Sequence, residues 1–393
     1  MIDSSITYKE IEKFVNDSKL IHNDEKYILV YLDKIYYIRE FLFDFFNTIK
    51  RENYSTAVQK IKSDQNLSEE EVTVLNESVV SLVSEFLEEK EEKKYIKFSI
   101  PLIKEPLVNK VSDKLKFLFK DTILYTLLII SSAVISSVFF FDVFNFKILE
   151  ISSNNTTFSL IVILSILLFH EFGHAAASSY FNIRPKEIGF GFYLIFPVFF
   201  ANVSKIWVLK KKERILVNLG GIYFQLIVNN VLFLLLFLFP SNSSFILGIM
   251  KINVFVALYS LTPFIRNDGY WVFSDFFDIQ NLNKKANSFP YLLYVYLFKN
   301  ERESLSIPLV LYSIGNYIFL YLIISKFIIG APQIFHELFA LYEHNSINEI
   351  VTNHFEILFK VLITVFFLYL IAKSIVTWMK DYINREPDKV IQH

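Results

Sequence analysis

The sequence predicts an α-helical polytopic membrane protein, with about six transmembrane helices and a re-entrant β-hairpin, behind a small α+β N-terminal cytosolic domain. Three observations carry this. Of 393 residues, 53% are hydrophobic and 43 are Phe, with a mean hydropathy of +0.39, more apolar side chains than a soluble core uses. Charges crowd the first 118 residues and thin out abruptly beyond them. Basic residues in the connections between the later apolar stretches alternate with their absence. The net charge of −1 excludes the strong basic excess of a nucleic-acid binder. The absence of cysteine excludes disulfides, thiolate zinc fingers, iron–sulfur clusters and a Cys nucleophile.

In chain order, Met1 to Glu10 is polar and mixed in charge, so no cleavable signal peptide is expected. Tyr27–Tyr31 and Ile35–Ile38 flank a Leu32-Asp33-Lys34 turn and read as a hairpin. Helical patterns follow over Glu40–Lys50, Ser55–Asp64 and Ser68–Glu88, the last opened by Ser68 and Glu71 at capping-box spacing. A charged run, Glu88–Lys94, ends this part. Lys94–Ile100 reads as one more strand or an extended linker, and Val108–Lys120 as an amphipathic stub on the membrane.

Six stretches are long and apolar enough to cross a bilayer as helices: 122–141, 157–180, 214–239, 245–263, 304–327 and 357–377. The connection 142–156 carries Lys147 alone, whereas 181–213 carries Arg184, Lys186, Lys205, Lys210, Lys211 and Lys212. The connection 240–244 has no basic residue, 264–303 has five, 328–356 has none, and the tail has Lys380, Arg385 and Lys389. Six spans with both termini in the cytoplasm require this alternation. Residues Ile188 to Val203 are apolar but too short, and too broken by Gly and Pro, to cross as a helix. Their aromatic and β-branched residues favour a re-entrant hairpin, the alternative being an interfacial loop that only dips into the lipid. In the third span, Gly220-Gly221 precede Gln225, Asn229 and Asn230, which suit interhelical bonding or an oxyanion contact. The stretch 328–356, with His336, His344 and His354, reads as an outer loop of solvated histidines.

Within the second span lies His170-Glu171-Phe172-Gly173-His174. On a helix the two imidazoles share one face and can reach one ion, with Glu171 beside them as a general base. Ionisable groups that continue an apolar run, Ile161–Phe169, are costly in a membrane and mark function. Two imidazoles and a Glu in this pattern point to Zn2+, which needs a third protein ligand. Asp268, directly after the fourth span and on the same side as the end of the second, is one candidate. Asp275 and Asp278 are others, and position along the membrane does not separate them.

These residues together resemble the site-2 protease family of intramembrane zinc metalloproteases: His170–His174 with a distant Pro263, Asp268 and Gly269. The wording is closest to the branch of peptide zinc metalloproteases that accompany ribosomal-peptide maturation, over His170–Phe181 with Phe196–Ser204, Lys210–Leu226 and Pro263–Leu282. The resemblance covers roughly 100–330. It implies a membrane zinc endopeptidase with His170, His174 and Asp268 as metal ligands, Glu171 as catalytic base, and the hairpin beside the site. The family often has Asn three residues before Pro263; that position is Ser260 here, and Asn253 lies further up the span. The N-terminal hairpin and helices look like a PqqD-like peptide-recognition domain, which binds a precursor's leader along a strand edge.

The expected organisation is therefore a peptide-recognition domain at 1–100, an interfacial linker at 101–121, a transmembrane metalloprotease domain at 122–377 and a cytosolic tail at 378–393. The expected partners are a precursor peptide, the lipid bilayer of a bacterial cell membrane and a peptide-export transporter, with no nucleic acid. Candidate substrate contacts are Gly191, Phe192, Phe200 and Asn202 on the hairpin, with Asn229 and Asn230 in the third span. Two alternatives fit the same composition: cleavage of a membrane-anchored signalling factor, or a non-enzymatic export or immunity protein.

Overall fold

A computed structural model of the chain describes residues 7–23, 26–32, 34–87, 96–142, 156–193, 196–298, 305–344, 349 and 355–383. The whole of the expected charged run and most of the 142–156 connection, together with His354, Arg385 and Lys389, lie outside them. Contacts divide the chain into two compact units, Met1–Asp278 and Ile279–His393.

The first unit begins with helix α1 (Tyr8–Asp17) and strands β1 (Lys19–His22), β2 (Tyr27–Tyr31) and β3 (Lys34–Ile38). The strands form an antiparallel sheet in the order β1-β2-β3, with Leu29 opposite Tyr36 and Leu20. Helices α2 (Glu40–Arg51), α3 (Tyr54–Gln65) and α4 (Glu69–Leu87) follow. The expected hairpin and three helices are all present. A reciprocal capping box joins Ser68 and Glu71. The sequence reading leaves α1 and β1 unassigned, although Thr7 and Glu10 form a second capping box and Ile11, Phe14 and Val15 give α1 an apolar face. Those three side chains join Leu29, Phe45, Phe46, Ile49, Val79 and Val83 in one core.

Strand β4 (Ile96–Ile103) and helix α5 (Glu105–Leu115) lead into α6 (Asp121–Asp142) and α7 (Thr156–Tyr180). The stub expected on the membrane spends one face on protein, because Val108 is fully buried and Ser179 Oγ donates to Ser112 Oγ at 3.0 Å. The expected hairpin forms as β5 (Ile188–Tyr193) and β6 (Phe196–Ala201), antiparallel, with Gly189 opposite Phe200. Strand β4 extends it on the far side of β5, giving the order β4-β5-β6 and leaving β6 at an edge. Helices α8 (Lys211–Leu238), α9 (Ser243–Ser260) and the short α10 (Asp268–Phe276) complete the unit.

The second unit holds α11 (Leu282–Asn287), α12 (Phe289–Phe298), α13 (Ile307–His344) and α14 (Phe355–Ile383). Here Tyr312 Oη donates to Asn283 Oδ1 at 2.8 Å, and Phe327 stacks on Phe367.

By length and composition, five helices among the described residues can cross a membrane: α6, α7, α8, α9 and α13. The sixth expected span falls in α14, a helix of 29 residues whose described apolar stretch is Lys360–Tyr369. One expectation is corrected. Residues 328–344, read as loop, continue α13, so His336 and His344 sit on a helix. Ile334, Phe335, Leu338, Phe339 and Leu341 keep an apolar helical spacing there, and Pro332 removes only one main-chain bond. At 38 residues, α13 is about 57 Å long, well beyond a hydrocarbon core of about 30 Å.

Candidate metal centre

The site is built where α7 crosses α8. A Cβ on Gly173 would lie 2.2 Å from the carbonyl oxygen of Gly220, so the two backbones touch directly. A Cβ on Gly221 would lie 2.3 Å from His170 Nε2, so only glycine leaves room for that imidazole. Small residues at a membrane helix crossing permit this approach.

Helix periodicity puts His170 and His174 on one face of α7, and α8 orients both rings. His170 Nδ1 lies 3.0 Å from Gln225 Oε1, and His174 Nδ1 lies 2.8 Å from the carbonyl oxygen of Val217. Because a carbonyl only accepts, each Nδ1 carries the proton, and each Nε2 turns a lone pair inward. The two Nε2 atoms are 3.1 Å apart. Asp268, the first residue of α10, brings Oδ2 to 3.1 Å from His170 Nε2 and Oδ1 to 3.3 Å from His174 Nε2. His170 and His174 are 7% and 8% exposed.

Three buried acceptors facing one another are stable only with positive charge between them, supplied by a proton or a metal ion. Asp268 Oδ2 finds no hydrogen-bond donor. Burial alone would raise the Asp268 carboxyl; where a proton on the imidazoles of His174 and His170 supplies that positive charge, it holds the carboxyl well below the ordinary carboxylate range. Two imidazole nitrogens and one carboxylate are a donor set for zinc with a position left open. Among the described residues, His170, His174 and Asp268 are the only group of three able to hold a metal. Glu171 stands beside them on α7, which packs against β6, so the hairpin borders the site.

The other two aspartates are employed elsewhere. Asp275 accepts from Arg214 Nε at 2.8 Å and from Asn218 Nδ2 at 3.1 Å, while Asp278 pairs with Lys26 at 2.7 Å. Gln225 donates from Nε2 to Asn253 Oδ1 at 3.1 Å. Asn253 in turn donates to Asn229 Oδ1 at 2.9 Å, and Asn230 donates to Ser131 Oγ at 2.8 Å. Asn229 and Asn230 thus bond across helices. On the hairpin, Gly191 is buried and Phe192 exposed, the Phe200 ring covers Gly189, and Asn202 Oδ1 accepts from Ser204 Oγ at 3.0 Å.

Sequence reasoning missed the supports: Gln225 behind His170, the Val217 carbonyl behind His174, and the Arg214–Asp275 pair. A polar residue inside an apolar span was the signal for Gln225. A main-chain carbonyl has no signal at all, and Arg214 was hidden at the end of a basic run.

A buried pair of histidines with a partly exposed Asp and an adjacent Glu, on helices apolar enough to span a bilayer, defines a membrane-embedded HExxH metalloprotease class. The profile of Peptidase family M50 matches residues 158–371, more than half of the chain, which therefore belongs to that family of site-2 zinc metalloproteases, with Zn2+ as cofactor. The chain is similar to a protein of Bacillus subtilis (strain 168) named "Putative peptide zinc metalloprotease protein YydH", with 27% identity over 124 residues. That match covers 31% of this chain and 48% of the other, so the chain spans about half the length of the curated relative it matches. No solved structure matches it.

Proposed function

We propose that this chain is a membrane zinc endopeptidase that cleaves a small ribosomally made precursor peptide near the cytoplasmic face, removing its leader before export. The observation that carries the reading is the convergence of His170 Nε2, His174 Nε2 and Asp268 on one point inside the α7–α8–α10 junction.

His170, His174 and Asp268 would hold the ion. When bound, zinc supplies a Lewis acid that polarises the scissile carbonyl and acidifies a water. Glu171 takes a proton from the attacking water, whose oxygen adds to the carbonyl carbon. The C–N bond then breaks, and Glu171 delivers that proton to the departing amine nitrogen. The buried walls around His170 and His174 keep bulk water from the ligands. Edge strand β6, with Phe200 and neighbouring Asn202, would align the substrate as an added strand, with Gly191 and Phe192 on β5 behind it. The packing of α7 against β6 supports this, because it puts the strand beside the helix that carries Glu171. The 1–100 region would recognise the leader, and a peptide exporter would take the product. The matched relative's name, which says peptide zinc metalloprotease, supports a peptide substrate.

The test is cleavage of the precursor by purified wild-type and Glu171→Ala proteins, with zinc measured in both. The variant is expected to keep zinc and to lose about 10²- to 10⁴-fold in rate, the usual contribution of a general base. Cleavage at the wild-type rate would remove Glu171 from this role.

A further inference from the structure

Arg214, near the start of α8, is 1% exposed, and the chemistry above gives it no task. Its Nε donates to Asp275 Oδ1 at 2.8 Å and its Nη1 to the Leu209 carbonyl at 2.8 Å. The guanidinium lies over the Trp207 ring, which meets Trp271 of α10 edge-on. Asn218, one turn further along α8, holds the second oxygen of Asp275 at 3.1 Å. Both oxygens of Asp275 are thus gripped from one helix. A buried guanidinium is tolerated only when its donors are matched in this way.

Asp275 lies seven residues after Asp268, two turns along the same face of α10. Apart from the two imidazoles, no donor among the described residues reaches Asp268 Oδ2. The direction of Asp268 therefore follows from where α10 sits and how it is rotated about its axis, which the grip on Asp275 at one end helps to fix, together with the close approach of Gly269 to the Leu261 carbonyl at the other. On α8, Arg214, Val217, Asn218, Gly221 and Gln225 follow helical spacing along one stripe. Val217 and Gln225 seat the two histidines.

We propose that Arg214 is a positioning residue for the metal ligand Asp268, acting through Asp275. One stripe of α8 then supports all three ligands. The proposal rests on the zinc reading above and goes beyond it by assigning the buried ion pair to metal affinity rather than to stability alone.

The experiment measures zinc affinity by competition with a chromophoric chelator, on the full chain in detergent. Cobalt(II) spectra of the same proteins report ligand geometry. Wild type is compared with Asp275→Asn, which keeps the shape but removes the charge opposite Arg214, and with Arg214→Lys, which keeps the charge but not the fork. Both variants are expected to bind zinc at least about tenfold more weakly, the lower end for a lost outer-shell partner, with altered cobalt absorption bands. Asn218→Ala removes a single bond to Asp275 and carries the test if the others do not fold, with an expected loss of about tenfold, worth one hydrogen bond to a charged group. Folded variants with a lower Tm but wild-type zinc affinity and cobalt spectrum would overturn the proposal, leaving the pair a purely structural one. Wild type that binds no zinc would overturn the zinc reading itself, and this inference with it.

Discussion

At the scale of single residues, the centre works by proton placement. Gln225 and Val217 hold the Nδ1 protons of His170 and His174, and this leaves both Nε2 lone pairs available. Replacing Gln225 by Leu removes the acceptor while keeping the bulk. Zinc binding is expected to weaken by roughly 10- to 100-fold, as for other outer-shell partners of metal-bound histidine; competition titration measures it, and unchanged affinity would free His170 from this dependence. Gly221→Ala puts a methyl where His170 Nε2 lies, so it is expected to abolish stoichiometric zinc, read by metal analysis of the purified protein. The HExxH pair was legible because its spacing equals the helix period. Which of three aspartates completes the site was legible only through the family resemblance, which named Asp268, because Asp268, Asp275 and Asp278 lie within eleven residues and residue chemistry does not separate them.

At the scale of elements, the α7–α8 crossing decides whether the centre exists. Gly173 and Gly220 bring the backbones into contact, and a Cβ on Gly220 would lie 2.6 Å from the Gly173 carbonyl oxygen. Gly220→Val should therefore separate the helices, lowering folded yield and Tm in detergent; an unchanged Tm would show that the crossing yields cheaply. The hairpin was legible from its aromatic and β-branched residues. Its third strand was only half legible: Lys94–Ile100 read as strand or linker, and pairing with β5 chose strand. The continuation of α13 past residue 328 was misread, because basic residues mark sidedness rather than where a helix ends.

At the scale of the whole chain, the proposed orientation puts both termini in the cytoplasm. The absence of native cysteine makes this directly testable by single-cysteine labelling with an impermeant maleimide. Ser241→Cys, in the connection between α8 and α9, is expected to react in intact cells. Lys13→Cys, on α1, is expected to react only after permeabilisation, and the reverse pattern would invert the topology. Within the first unit the N-terminal sheet reaches the metal site's supports. Asn23 Nδ2 donates to the Leu209 carbonyl at 3.2 Å, the same oxygen that Arg214 bonds, and Tyr37 Oη donates to the Trp207 carbonyl at 3.2 Å.

The sequence alone determined the apolar helices, the hairpin, the imidazole pair and its neighbouring carboxylate. Each of these is written in local periodicity or residue chemistry, which survives in one dimension. Only the tertiary structure decided which atoms hold the histidines' protons and why a charged Arg214 is buried, and it brings to the histidines the Asp268 that the resemblance named. Those depend on contacts between elements up to a hundred residues apart, and their specificity lies in backbone carbonyls and helix rotation, neither of which has a signature in residue order. The apolar excess that first marked the chain as a membrane protein thus supplies the frame, while a few polar atoms on one stripe of α8 aim the chemistry within it.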